Sequence, residues 1–584
     1  MNTAVPEKRR PVAADRLERL LPIAGWARRY SRDDFSGDLT AGIITAILLV
    51  PQGMAFALLA GLPAQVGLYA SILPPIAYAL FGTSRTLAVG PVSVAAIMVA
   101  FALQSLPPGT DPLAAALLLA LLSGVMLLAM GALKLGVVAN FLSHPVLSGF
   151  TTAAAIIIVL NQLPSLAGLQ LPEGWRPIDL PLLLPAMRLQ PVTLLIGLGC
   201  AALLLATGRP LQRALIAIGL KPLRAGIVSR TGPLIVVLLA TAIVTLGGLA
   251  ESAQVEVVGS IPAGFPVLGF PLPSPEFALQ LLPAAFFISL VGYVESVSIA
   301  KVLASRRRER VDPNQELIGL GAANAAAAFA GGMPVAGGFS RTMVNYGAGA
   351  RTQLASIITA LLVALVAIFF TPLLENVPKA ALAAIIIIAV VKLIDLRGAI
   401  AVWRYDRIDG AVLAITVIGV LAIGIEAGLA LGIAVSLTSF AWRGAYPHVA
   451  VIGRIRGSEH FRNVRRHEVE TWEGIVFIRI DENLTFANAA YLESVIAAEV
   501  ANRPQLEHVV LVMSSVNAID STALETLERQ IESLREAGVT VHLSDVKGPV
   551  MDRLEETGFL KALEPGRVFM SAHLAAEALN REDY

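Results

Sequence analysis

Two ionisable residues stand where charge is expensive. Glu295 lies in FFISLVGYVESVSIAK and is the only charge between Phe277 and Lys301. Arg341 follows a pair of glycines in PVAGGFSRTMVNYGAGARTQ. A charge at membrane depth costs about 3 kcal/mol or more, so it is a functional hypothesis by default. The plain alternatives stay open: Glu295 could fix two helices through an ion pair, and Arg341 could snorkel to an interface. Beside them run two interrupted segments, Ala88–Ala95 (AVGPVSVA) and Pro334–Thr342 (PVAGGFSRT). Gly or Pro breaks each one before a short apolar run, which predicts a helix beginning in mid-membrane. Such a helix offers free N–H groups and the positive end of its dipole, an anion-binding element that needs no buried lysine. Paired interrupted segments in corresponding halves are the sequence pointer to a transporter site. One falls third after Leu39 and the other third after Phe277, which suggests a seven-plus-seven duplication rather than two unrelated kinks. Gln52, after Pro51, is an uncharged polar group in the first span and could face substrate or a neighbouring helix. His144, in SHPVLSG, reads as a helix start.

The elements around these residues must be membrane spans. The 584 residues are 56% hydrophobic and 15% charged, with a mean hydropathy of +0.72. Soluble domains are about a quarter charged. Uncharged runs cover Leu39–Ser84, Thr86–Thr110, Leu135–Pro172, Leu317–Ser340 and further stretches to Trp442. Runs of about 20 apolar residues cross a bilayer as helices. Split at Gly and Pro, they give about fourteen spans. Basic loops (Arg209 to Arg230, Lys301 to Arg310, Lys392 to Arg407) alternate with loops lacking Lys and Arg. By the positive-inside rule both termini are cytoplasmic. The basic stretch 1–38 reads as a cytoplasmic leader, too long for a cleaved signal peptide.

Beyond Tyr446 the character changes. GIVFIRI (Gly474–Ile480), HVVLVMS (His508–Ser514) and VTVHL (Val539–Leu543) read as buried strands, with helical patterns between them. That alternation predicts a small α/β domain over 446–584, following a membrane domain over 39–445.

Several function classes are excluded. One cysteine, Cys200, rules out a disulfide scaffold. A net charge of +1 gives no field for nucleic acid. There is no zincin, nucleophile-elbow or P-loop motif, and His467-Glu468 is followed by Val-Glu-Thr, which breaks zincin spacing. No enzyme, cofactor or metal site is expected.

PAQVGLYASILPPIAYALFGTSR (Pro63 to Arg85) resembles the signature of the sulfate permease (SulP) anion transporters. VPQGMAFALLAGLP, VGPVSV, DPNQELIGLG and GGFSRT…GARTQLA are similar to that family too, and NAIDSTALETL (Asn517–Leu527) resembles its C-terminal STAS domain. Val66 stands where the signature usually has Tyr. The resemblance covers nearly the whole chain from about Asp33. It implies two inverted repeats of seven spans, a core domain that carries substrate past a scaffold in an elevator motion, and a homodimer. It places Gln52 and Phe56 in the first-span site, Val92 and Ser93 at the third-span half-helix, and Ser340 and Arg341 at the tenth-span half-helix. It implies an acid at the Glu295 position in coupled symporters and a neutral residue in prestin-like members. Sodium-coupled bicarbonate relatives pair an Asp there with a Thr one turn on; here that position is Ile299, which weakens a sodium reading. Asp520 and Ser521 match the loop phosphorylated in related sporulation regulators, and Asp or Ser is also an ordinary helix N-cap.

The expected function is secondary active transport of an inorganic anion, sulfate first, as a proton symporter in the inner (plasma) membrane with lipid around it. Ionised Glu295 would repel an anion held only by dipoles, so proton and anion binding reinforce each other. The alternatives are a dicarboxylate or bicarbonate transporter, or an anion channel.

Overall fold

In the computed structural model, residues 21–107, 109–169, 189–220, 225–226, 228–229, 231–262, 264 and 275–581 are described. Most of the basic leader, and Lys221, Arg224 and Arg230 of one orienting loop, lie outside that set. Contacts divide the chain into two units, 1–434 and 435–584.

The first unit is helical. Its first half holds α1 (Arg32–Leu59), α2 (Leu73–Phe81), a short strand β1 (Val89–Gly90), α3 (Ser93–Gln104), α4 (Pro112–Ala132), α5 (His144–Ala167) and α6 (Pro191–Thr207). The second half holds α7 (Pro275–Arg307), α8 (Pro313–Phe329), strand β2 (Ala336–Gly337), α9 (Phe339–Gly347), α10 (Leu354–Phe369), α11 (Lys379–Val390) and α12 (Arg407–Ala422). α13 (Ile425–Ala445) follows. Among the described residues, six helical stretches are long and apolar enough to span a membrane, or seven if Pro191–Thr207 and Arg209–Ala217, bent by 44°, form one span. Three shorter apolar helices, α3, Gly232–Leu246 and α10, stand beside them among the described residues, so length and composition mark fewer than the fourteen expected spans. The 12-residue α3 reaches about 18 Å, roughly half a bilayer's hydrocarbon thickness.

Local chemistry sets these boundaries. α1 opens on a capping box in which Ser31 Oγ accepts from the Asp34 N–H and the Asp34 carboxylate accepts from the Ser31 N–H. His144 opens α5, as the sequence predicts. Small residues let the helices close up, because lipid offers no hydrophobic drive and van der Waals contact must supply it. α8 lies against α4 through Gly124, Gly131 and Gly321; a Cβ at Gly124 would meet the Ala325 nitrogen at 2.7 Å. A Cβ on Gly67 would stand 1.9 Å from the Gly53 carbonyl oxygen, so α1 and the helix Ala64–Tyr69 cross backbone to backbone just beside Gln52. α5, α11 and α12 form a second packed group.

The second unit is a layered α/β domain. Its six-stranded sheet runs β4-β3-β5-β6-β7-β8, from β3 (Val449–Arg454), β4 (Phe461–Asn463), β5 (Ile475–Ile480), β6 (His508–Val512), β7 (Thr540–Ser544) and β8 (Val568–Phe569). β5 to β8 pair in parallel, and β3 is antiparallel to both β4 and β5. Alternation along β5 divides two cores: Val476, Ile478 and Ile480 face one, Ile475 and Phe477 the other. α14 (Ala489–Ala501), α15 (Ser521–Glu536) and α16 (Gly548–Glu556) pack on the first face, and α17 (Ala572–Arg581) on the second.

Candidate functional site

The two interrupted segments meet. β1 pairs antiparallel with β2, Val89 opposite Gly337 and Gly90 opposite Ala336. The Gly338 N–H extends the ribbon by donating to the Ala88 carbonyl at 3.2 Å. α3 leaves this ribbon from one strand and α9 from the other. Because the strands are antiparallel, the helices depart in opposite directions with their N-termini toward the ribbon.

Neither N-terminus carries a side-chain cap. The first intrahelical bonds are Ala96 N–H to Val92 and Thr342 N–H to Gly338, both 2.9 Å. The amides of Ser93, Val94 and Ala95, and of Phe339, Ser340 and Arg341, therefore precede the first bond of their helix. Six amide donors and two positive dipole ends converge on one small region, an arrangement that attracts an anion.

Arg341 is buried, 3% exposed, and does not snorkel. Its Nε and Nη2 donate to the Ala88 carbonyl at 3.3 Å and its Nη1 to the Pro91 carbonyl at 3.0 Å. It thus clasps the segment carrying the opposite half-helix. Three of its five N–H groups are used, which leaves two beside the ribbon. A Cβ on Gly90 or Gly338 would come within 3.3 Å of its guanidinium, so glycine at both positions makes room for the clasp. Val92 is buried against Ala95 and Ala336, and Ser93 is half-buried at the first turn of α3. Ser340 is exposed at the first turn of α9, beside Arg341.

Glu295 is half-buried on α7, and the Arg341 charge acts on it. Among the described residues no hydrogen bond or ion pair joins the two. Gln52 and Phe56 are buried on α1, one helical turn apart. Gln52, 9% exposed, has no hydrogen-bond partner among the described residues.

Sequence reasoning missed the polar frame that holds the ribbon. Ser296 Oγ donates to the Gly292 carbonyl and accepts from the Gly337 N–H at 2.8 Å. Thr342 Oγ1 accepts from the Ala88 N–H at 3.1 Å, and Asn345 donates to the Thr86 carbonyl at 2.9 Å. Asn324 bonds both backbone groups of Val335 at 2.9 Å. Two buried carboxylates brace the flanks. Glu316 accepts from the Tyr78 hydroxyl, from the Thr83 hydroxyl and amide, and from the Ser84 amide. Asp38 accepts from the Tyr30 hydroxyl, the Arg351 amide and the Thr352 amide and hydroxyl. Both acids sit at the edge of an uncharged run, the one signal that could have marked them.

In the second unit Asp520 is the N-cap of α15. One carboxylate oxygen accepts from the Ala523 N–H at 2.8 Å and the other from the Phe486 N–H at 2.7 Å. Ser521 is exposed at the first turn.

The sequence profile described as the sulfate permease family matches residues 35–416, and that of the STAS domain matches 466–575. The chain is 36% identical over 579 residues to "Probable sulfate transporter 4.2" of Arabidopsis thaliana, covering 96% of this chain and 84% of that protein. It is 33% identical to "Probable sulfate transporter MT1781" of Mycobacterium tuberculosis, covering 96% of this chain and 99% of that one. Its fold matches the murine Solute Carrier 26 family member A9 anion transporter in the inward-facing state, with TM-score 0.85, 26% identity, and 98% and 96% of the two chains covered. The transmembrane domain of a cyanobacterium bicarbonate transporter matches with TM-score 0.57 and 25% identity, covering 70% of this chain and 98% of that one. The chain belongs to the sulfate permease family, with a helical membrane domain followed by a STAS domain.

Proposed function

We propose that this protein is a secondary active anion transporter, with sulfate as its substrate and protons as the coupling ion. The observation that carries the reading is the pair of uncapped half-helix ends, whose six first-turn amides have no acceptor among the described residues. Arg341 places three of its five N–H groups on backbone carbonyls. The sulfate transporters among the relatives support the substrate. Ser93 and Ser340 supply hydroxyls at the two helix starts, Gln52 an amide, and Phe56 and Val92 the apolar walls.

Glu295 supplies the coupling. Ionised, it offsets the field of Arg341 and repels an incoming dianion; neutral, it leaves that field to the substrate. Proton and anion then bind with a favourable coupling free energy, and by linkage each strengthens the other. The core helices carrying the ribbon move as a body past α5, α11 and α12, an elevator motion, in a homodimer within the plasma membrane and with both termini cytoplasmic. The reading is transport and not catalysis. Ser521 is open to phosphorylation at a helix N-terminus, where a phosphate is electrostatically favoured.

Replacing Glu295 by Gln tests the coupling. E295Q in proteoliposomes should lose uptake driven by an inward proton gradient and keep sulfate–sulfate exchange. Gradient-driven accumulation equal to wild type would remove Glu295 from the mechanism. A second reading, bicarbonate or a dicarboxylate in the same site, has the bicarbonate transporter's similar membrane fold in its favour. Competition in the same vesicles separates the substrates.

A further inference from the structure

A second basic concavity lies away from the ribbon. It has two adjoining lobes of about 670 and 680 Å³ that share Trp26, Arg29, Arg85 and Glu309. The first lobe adds Arg307 and Arg351, and the second adds Arg308 and Arg310. Six guanidinium groups therefore face three carboxylates, those of Asp34, Glu309 and Asp312.

The carboxylates are already engaged. Asp34 closes the capping box of α1 and lies 3.5 Å from Arg351. Glu309 lies 3.6 Å from Arg85. Asp312 caps α8. Arg307 stacks over the Tyr346 ring at 4.6 Å. Arg29, Arg308 and Arg310 have no ion-pair partner among the described residues. Like charges are thus held together on a concave surface, which costs free energy unless a counter-anion is bound.

A positive-inside signal accounts for basic residues in one loop. It does not account for arginines from four separate chain segments converging on one cleft with no lysine among them. The guanidinium is a planar fork matched to phosphate, whereas lysine serves as a point charge. The volume suits an organic-sized ligand rather than a single small inorganic anion.

We propose that this cleft is a binding site for a phosphate-bearing anion, separate from the transport site. The chemistry fits a soluble polyphosphate or phosphate ester and also the headgroup of an anionic phospholipid. Its walls continue into the elements of the ribbon: Arg85 precedes β1, Arg351 follows α9, and Arg307 ends α7 about 18 Å along the helix from Glu295. An occupant would tie these segments together and so act on the core of the carrier.

The test uses the full chain in uncharged detergent free of sulfate, and the cleft variant rather than added sulfate separates this cleft from the transport site. Inorganic pyrophosphate is titrated by calorimetry. In parallel, thermal unfolding is followed in nanodiscs of phosphatidylcholine with and without phosphatidic acid. The triple variant R29Q/R308Q/R310Q removes arginines without ion-pair partners, so the fold should survive. R397Q/R404Q, on another basic surface, is the control. Pyrophosphate binding that weakens at least tenfold in the triple variant and is unchanged in the control assigns a soluble ligand. Stabilisation by phosphatidic acid alone, lost in the triple variant only, assigns the lipid headgroup. Binding of neither probe, equal binding by the triple variant, or equal loss in the control overturns the proposal.

Discussion

Ser296 holds the ribbon through backbone atoms on both sides of its hydroxyl. Its hydroxyl is the acceptor for the Gly337 N–H, and so it fixes the strand from which α9 starts. Ser296→Ala leaves that buried amide unpaired, at a cost of about 1–3 kcal/mol. Uptake should fall at least tenfold while Ser296→Thr, which keeps the hydroxyl, restores part of it; equal uptake by the two variants would contradict the role. Asp481 offers a pH-dependent test in the second unit. Burial alone would raise its carboxyl, but hydrogen bonds from Arg479 and His448 outweigh burial and hold it below the usual carboxylate range. A lowered folded-state value stabilises above the unfolded value, about 3.9, and the benefit disappears as pH falls through the folded one. Asp481→Asn should therefore open β5 to hydrogen exchange by about 1 kcal/mol at pH 7, discounted for partial exposure, and the difference should shrink as pH approaches 3. A pH-independent difference would exclude the charge as its source. Glu295 and Arg341 were legible because a lone charge in an apolar run is conspicuous. Ser296, Thr342 and Asn345 were not, because uncharged polar residues are common in spans and their partners here are backbone atoms far away in sequence.

Among the elements, the half-helices α3 and α9 owe their position to the ribbon, beside which both start. Glycine and proline in AVGPVSVA and PVAGGFSRT announced the breaks. The pairing of β1 with β2 was beyond reach, since two-residue strands carry no periodicity and their register follows from packing of distant helices. The same limit applies in the second unit. GIVFIRI, HVVLVMS and VTVHL predicted β5, β6 and β7 to within about two residues, whereas the three-residue β4 and two-residue β8 left no pattern and the antiparallel β3 was not anticipated. Close helix crossings are a further element-level property with a sharp test. Gly67→Ala places a methyl group inside the Gly53 carbonyl, forcing α1 away from its neighbour beside Gln52. Overpacking of this kind costs about 1–3 kcal/mol. The melting temperature of the purified protein should fall by several degrees and sulfate uptake should fall with it; a wild-type melting temperature would show that the crossing is not tight.

Over the whole molecule, two units of different physical character share one chain. The first has apolar faces outward and polar groups gathered around a broken-helix centre; the second has a sheet with apolar residues on both faces, covered by helices. Composition marks the change at Tyr446, where α13 gives way to strands, whereas contacts divide the chain eleven residues earlier, inside α13. It could not reveal the basic cleft, whose arginines are scattered through the sequence from Arg29 to Arg351. If uncapped half-helix ends bind a dianion and Glu295 ties this to a proton, sulfate uptake must follow the proton gradient. Radiolabelled sulfate uptake into proteoliposomes, with and without an inward proton gradient, decides this. Accumulation above the external concentration is expected only when the gradient is imposed, and a protonophore should abolish it. Uptake that equilibrates without concentrating, and is the same with and without the gradient, would contradict it.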